Sequence, residues 1–375
     1  MLPDALAPLL PSTPADAFVQ RALSGQSAVW DAALTAREVI ATLEAHRIGP
    51  LVCAQLPPDA WTTLPMELQT WVKASARRQA LLDIQQTLAL RELLALARDR
   101  GAPVLLLKGV PTSHRHYAEP HHRVKTDVDA LIRPADRDAF IKLLEELGYL
   151  RSDGLTGTLV NRQVTLTRGD VAVDVHWSVS NTALFAHALD FDTMWAERAP
   201  IPALGEAAYG PSDEDLFLHA CFHLAVHLSY EFALVWLYDI HLMASRWAPE
   251  ALERCLRRAG RLRILRVCLA CLALSRAWFG TPYAEEVCAG LAREAAPELS
   301  ARTLACRLSR LSRLQMELAA LSWRERFILL REVTLPPADY LRRRYADATT
   351  WLPWLHARRW LGLRGQASPR TESRR

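Results

Sequence analysis

Residues 125–132 read Lys125-Thr126-Asp127-Val128-Asp129-Ala130-Leu131-Ile132, and this stretch decides how the middle of the chain folds. Val128–Ile132 is a short apolar run, the pattern of a buried strand. Side chains alternate along a strand, so Asp127 and Asp129 project to one face while Val128 turns to the other, towards a core. Two carboxylates side by side repel each other unless a cation lies between them.

Upstream, Pro103–Leu107 (PVLLL) is a second apolar run. It ends at Lys108-Gly109, ahead of a helix beginning near Pro111, where proline suits the first turn. Gly109 would let the backbone approach a ligand, and the helix N-terminus would offer free N–H groups to a phosphate. Lys108 adds a point positive charge, and Arg123 is expected to contact phosphate as a fork.

Downstream, Pro134 and Asp136 open a helix with the apolar face Phe140, Leu143, Leu144 and Leu147, closed by Gly148. Two further strands are expected at Leu159–Leu166 and Val171–Trp177, with Gly169-Asp170 as the hairpin turn. In the second of these, Asp174 and His176 share one face while Val173 and Val175 take the other. If that strand lies near the first acidic strand, three carboxylates converge. Oxygen donors of this kind suit Mg²⁺. Two such ions about 3.5–4 Å apart can activate an attacking oxygen and stabilise a leaving one.

The flanks have a different texture. Residues 1–100 read as helices, most clearly Ala76–Arg100, with Gly101 as the stop. Residues 206–375 are helical again: Ser212 with Asp215 resembles a capping box, and helices follow at Trp236–Ser245, Glu250–Phe279 and 297–331. The fold class is therefore α+β, with a small mixed sheet in residues 101–205 between two helical regions. His219, His223 and His227 recur at four-residue steps on one helical face. Core packing is the first reading of that triplet, lining of an interdomain cleft the second and a metal site the third. Trp236 and Asp239 share a face of the next helix, where Asp239 is expected to cap or to pair with a histidine.

Composition narrows the function classes. A net charge of +4 is too small to argue for nucleic acid. No apolar run reaches the ~20 residues a membrane helix needs, and the N-terminus lacks a secretory pattern. Seven scattered cysteines form no framework, which points to reduced thiols and a cytoplasmic protein, with Cys268 and Cys271 read as core. Only four lysines are present, Lys73, Lys108, Lys125 and Lys142. Arg342, Arg343, Arg344, Arg358 and Arg359 lie among tryptophans in the tail. RNA and a membrane surface are possible partners for it, but an amphipathic helix packed on the body is the preferred reading. The last ten residues read as disordered.

Taken together, these motifs resemble the nucleotidyltransferase superfamily typified by DNA polymerase β, and within it a family of uncharacterised bacterial nucleotidyltransferases. The resemblance spans roughly residues 83–245. It is carried by Leu107-Lys108-Gly109, Tyr117, Arg123, Asp127-Val128-Asp129, Gly148-Tyr149, Asp174-Val175-His176-Trp177, His223, His227 and Trp236-Leu237-Tyr238-Asp239. The superfamily usually has Gly-Ser after the first strand where this chain has Lys108-Gly109, and the segment 110–126 is longer than the usual spacing. The resemblance implies Mg²⁺-dependent transfer of a nucleoside monophosphate, from ATP or another NTP, to a hydroxyl of a small molecule or peptide. Asp127, Asp129 and Asp174 would be the metal-binding and catalytic carboxylates, Lys108, Gly109 and Arg123 the phosphate site, and His176, His223, His227, Trp236 and Asp239 the cleft. Transfer of the γ-phosphate on the same site and a non-catalytic nucleotide-binding module are the alternatives. The oligomeric state is not legible.

Overall fold

The computed structural model describes residues 3–361 except 27, 29, 32, 153, 155, 156, 158, 229, 295, 306, 307 and 346–350. The last ten residues, read as disordered, lie outside the described set.

Every element before residue 100 is helical: α1 (Pro14–Leu23), α2 (Ala36–His46), α3 (Gly49–Gln55), α4 (Pro58–Thr63) and α5 (Met66–Asp99). Thr13 with Asp16 and Thr35 with Glu38 form capping boxes at the starts of α1 and α2, satisfying N–H groups that the helix leaves free. Gly101, at φ 63°, stops α5 where the basic residues end. The centre follows as β1 (Leu105–Leu107), α6 (Gly109–His116), β2 (Val128–Leu131), α7 (Arg137–Glu146), β3 (Leu150–Arg151), β4 (Gln163–Arg168) and β5 (Val171–His176). Next come α8 (Phe191–Ala196) and a two-stranded β6 (Ala199–Pro200) and β7 (Tyr209–Gly210), too short to show in the sequence pattern. The chain then runs helically through α9 (Asp213–His227), α10 (Leu234–Arg246), α11 (Pro249–Arg261), α12 (Leu265–Phe279) and α13 (Glu285–Glu294). It continues through α14 (Arg310–Ala320), α15 (Trp323–Thr334), α16 (Ala338–Tyr345) and α17 (Leu352–Trp360). The protein is α+β: a mixed five-stranded sheet set between helical regions.

The sheet order is β1-β2-β5-β4-β3. β2 pairs with β1 antiparallel and with β5 parallel, and β5 pairs with β4 antiparallel across the Gly169-Asp170 turn. One face is apolar through its centre: Val128, Ala130, Val164, Leu166, Val173 and Val175 pack beneath it with Leu90, Leu93 and Leu94 of α5 and Phe140 and Leu144 of α7. The other face meets the helical regions. There Leu105, Leu107 and Leu131 join a second core that runs through both the N-terminal helices and α9–α12. Helix α5 serves both cores, Leu68 and Val72 in one and Leu90–Leu94 in the other.

Four expectations change. The helix expected over 297–331 is divided into a 3₁₀ turn at Leu299–Leu304, α14 and the start of α15, where Ser322 caps a new helix. The strand expected at Leu159–Leu166 begins only at Gln163, because the N–H groups of Leu159 and Val160 are both donated to Glu332 of α15, at 2.9 Å each, and so leave the sheet. The single helix expected over Glu250–Phe279 is two. Arg263 turns left-handed at φ 58°, and the Glu298 carboxylate accepts the N–H groups of Leu265 and Arg266, starting a new helix. The capping box at Ser212 is half formed: its hydroxyl accepts the Asp215 N–H, while the Asp215 carboxylate turns to Arg258, 2.5 Å away. The cysteines of α12 are buried, with Cys271 Sγ donating to the Cys221 carbonyl at 3.5 Å.

Candidate active site

The acid face forms by strand register. Asp129 of β2 and Asp174 of β5 are direct partners in the parallel pair, so their side chains stand next to each other on the same face. His176 follows two residues along β5 and places Nε2 2.8 Å from Asp129 Oδ1. One ligating atom from each of Asp129, Asp174 and His176 lies within 4.8 Å of the others. Asp127, one residue ahead of β2, lies outside that group but lines the same cavity.

Each acid is held differently. Asp174 accepts from Thr165 Oγ1 at 2.5 Å and from Gln163 Nε2 at 3.0 Å, both on the paired strand β4. Asp129 accepts from Lys108 Nζ at 2.5 Å. Burial works against ionising Asp129, but Lys108 and the His176 hydrogen bond hold its carboxyl well below the ordinary range. Asp127 has no such partner. Burial, with the charges of Asp129 and Asp174, raises it to about 6. Lys108 is raised above its usual value: burial opposes the charge, and Asp129, Asp127 and Asp174 outweigh that.

Lys108 itself sits at φ 51°, a backbone region that side chains rarely adopt, and its carbonyl accepts from Thr112 Oγ1 at 2.7 Å as α6 begins. Gly109 follows because nothing larger fits: a Cβ there would lie 2.4 Å from Arg123 Nη1.

Behind this turn runs a second set of charges. Arg123, expected to meet phosphate as a fork, lines the cavity, but the Nε–Nη2 edge of its guanidinium is already engaged. Its Nε and Nη2 donate to Asp239 at 2.9 and 2.7 Å, and Nη1 donates to the Val124 carbonyl at 3.3 Å. Asp239 therefore neither caps its helix nor meets a histidine; it holds Arg123 and accepts from Tyr117 Oη at 2.8 Å. Lys125 is also enclosed, donating to Asp83 at 2.6 Å, Pro120 O at 2.9 Å and Ser113 Oγ at 3.1 Å.

The histidine stripe divides. His219 is in the core, bonded through Nε2 to the Val179 carbonyl at 3.1 Å, and burial beside Lys108 lowers it to about 3. His223 and His227 are half-buried and face the cavity, with ring centroids 5.2 and 4.7 Å from Trp236. Burial first, then the neighbouring His227 and Lys108, lowers His223 well below its usual value, and burial with Lys108 lowers His227 to about 4, so both are neutral.

These walls enclose an open cavity of about 420 Å³ between the acid face and α9–α10. Sequence reading missed several residues that line the cavity or hold its acids. Thr165 and Gln163 were within reach, because a two-residue turn at Gly169-Asp170 fixes Thr165 opposite Asp174. Arg47 was not. It ends α2, stacks 5.3 Å from the Trp236 ring and pairs with Glu231 at 2.5 Å, all by tertiary contact.

The donor set fits a hard divalent cation. Of the charges lining the cavity, Arg47 is paired with Glu231, Arg123 with Asp239 and Lys125 with Asp83, which leaves Asp127, Asp129 and Asp174 with Lys108, bonded to Asp129, as their remaining cation, so negative charge is in excess on the acid face. A search of curated proteins finds no match to the chain. A family model described as "uncharacterised nucleotidyltransferase" matches residues 33–280, which takes in α2 through α12 and every residue of the acid face. A match over that share of the chain, on a sheet that presents an Asp-Asp-His group able to hold a metal, shows that the protein belongs to this family of uncharacterised nucleotidyltransferases.

Proposed function

We propose that the protein moves a nucleoside monophosphate, AMP from ATP, to a hydroxyl of a small-molecule or peptide acceptor: the acceptor oxygen bonds to the α-phosphorus, the α–β phosphoanhydride bond breaks and pyrophosphate leaves. The observation that carries this is the convergence of Asp127, Asp129 and Asp174 on the floor of one polar cavity, directly beside the turn from β1 into α6. We read residues 101–205 as the part that carries the chemistry, with 1–100 and 206–375 as helical flanks.

Asp127, Asp129 and Asp174, with His176 beside them, would hold Mg²⁺, which when bound supplies neutralisation of the triphosphate charge and acidifies the attacking hydroxyl. The remaining work falls to the chain. Lys108 would exchange its Asp129 partner for a phosphate oxygen, and the open N–H groups of α6 would face the same oxygens. Asp174, fixed by Thr165 and Gln163, would orient the acceptor hydroxyl and take its proton. The neutral imidazoles of His223 and His227 and the Trp236 ring would form the opposite wall, on which nucleoside or acceptor packs. Positioning and electrostatics then supply most of the rate.

The test uses ATP labelled either at the α- or at the γ-phosphorus, incubated with magnesium, cell extract and the wild-type or Asp127→Ala/Asp129→Ala protein. Label from the α position should reach an acceptor with the wild type only. Transfer of γ label would establish a phosphotransferase instead. Turnover unchanged in the double variant would refute the site.

A further inference from the structure

Helix α15 faces the opposite way from an ordinary surface helix, which turns its apolar stripe inward and its charges outward. Trp323, Phe327 and Leu330, at i, i+4 and i+7, share one face and are 83%, 70% and 60% exposed. The carboxylates occupy the opposite side and are spent on backbone: Glu325 accepts the Ser322 N–H at 2.8 Å, and Glu332 accepts those of Leu159 and Val160. In α14, Glu317 likewise accepts the Ala183 N–H at 2.7 Å. Arg324 and Arg331 stand exposed along the flank of the stripe.

The last helix extends this surface. Arg359 Nη1 donates to the Val333 carbonyl at 2.7 Å and Trp360 Nε1 to that of Thr334 at 3.1 Å, tying α17 to the end of α15. Packed in this way, α17 buries Leu355 with Tyr340 and Leu341 of α16 but leaves Trp351 and Trp354 exposed. The tail expected to pack on the body therefore turns these tryptophans outward. Charge follows the same division. Residues 310–375 hold fourteen arginines and six carboxylates, whereas residues 1–309 hold thirty-one basic and thirty-five acidic side chains.

We infer that the α14–α17 face docks on an anionic phospholipid bilayer, with its helices lying in the headgroup plane. Such a surface accepts Trp, Phe and Leu at the acyl boundary and guanidinium groups at the phosphates, the pairing that α15 and α17 present. The charge asymmetry supplies the complementarity, since only this end of the chain is strongly positive. The aromatic rings alone would also suit base stacking, but exposed aliphatic Leu311, Leu314 and Leu330 on the same helices add apolar area that an acyl boundary takes up and single-stranded RNA does not. No described helix is long and apolar enough to cross a membrane, so the attachment is peripheral.

The test is cosedimentation of the full chain with vesicles of equal phosphatidylcholine and phosphatidylglycerol, against vesicles of phosphatidylcholine alone. Binding to the mixed vesicles, released by salt, is expected. Trp323→Ser/Phe327→Ser and Arg324→Glu/Arg331→Glu should each weaken it by roughly tenfold or more at an unchanged unfolding temperature. Trp351→Ser/Trp354→Ser, at the cap and first turn of α17, provides an independent variant should either α15 pair unfold. Absence of binding by the wild type, or binding unchanged in the correctly folded variants, overturns the inference. It is equally overturned if the wild type stays off the vesicles but shifts RNA at low salt, or forms a dimer that the same variants dissolve.

Discussion

Two clusters of buried charge lie within a few residues of each other along the chain and are completed in opposite ways. In the seam behind the cavity every charge is answered: Arg123 by Asp239, Asp239 also by Tyr117, and Lys125 by Asp83 with two further oxygens. On the sheet face three carboxylates share Lys108, and Asp127 is left with its proton held up to about 6. A saturated cluster fastens elements together, here α6 and the loop after it to α5 and α10. An unsaturated one stores repulsion that a bound cation relieves. The difference separates structural charge from candidate functional charge without reference to any relative.

Breaking the seam should have the largest effect. Asp239→Ala strands Arg123 in the core, and a loss of about 3–5 kcal/mol of stability is expected, read from denaturant unfolding. Asp174→Asn tests the other cluster and should reverse the pattern. Metal-dependent turnover should fall roughly 10²–10³-fold, as for other groups that stabilise transition-state charge, while the unfolding midpoint of the metal-free protein holds. If Asp174→Asn destabilises the fold as much as Asp239→Ala does, the comparison fails.

The pH response sharpens it further. Asp127 binds its proton more tightly folded than unfolded, so its contribution to stability is greatest below its ordinary 3.8 and is lost as the pH rises to about 6. Asp129, held low, works in the opposite sense, and its contribution is lost on acidification. A divalent cation needs Asp127 ionised. Magnesium should therefore raise the melting temperature more at pH 7.5 than at pH 5, measured by calorimetry. An equal rise at both would remove Asp127 from the cation site. The smallest effect is expected from Lys108→Arg, which keeps the charge but not the compact head group at a turn closed against Gly109. Turnover should fall about tenfold with stability unchanged, comparable to losing one charged hydrogen bond.

Much of the sheet was legible, for local reasons. Alternation in 127–131 and 171–176 sorted acids from valines, and Gly169-Asp170 set a turn whose register already puts Thr165 opposite Asp174. The parallel pairing of β2 with β5 was not, because nothing local specifies which strand a buried strand joins. The break before α12 was equally hidden, since its cap comes from Glu298, more than thirty residues downstream. Arg123 shows the limit most clearly. A guanidinium near an acidic strand reads as a phosphate ligand until Asp239, 116 residues away, is seen to hold it.

By itself, the sequence determined the α+β class, the two acid-bearing strands with the faces their carboxylates take, and the glycine turns, because alternation and turn chemistry act over a few residues. Tertiary structure alone decided which charges are spent and which remain open. A buried charge is settled by whatever oxygen or nitrogen lies within about 3 Å of it, and here those partners come from helices distant in the chain. It also decided that α15 and α17 turn aromatic residues outward, since a helical period fixes which residues share a face but not which way that face points.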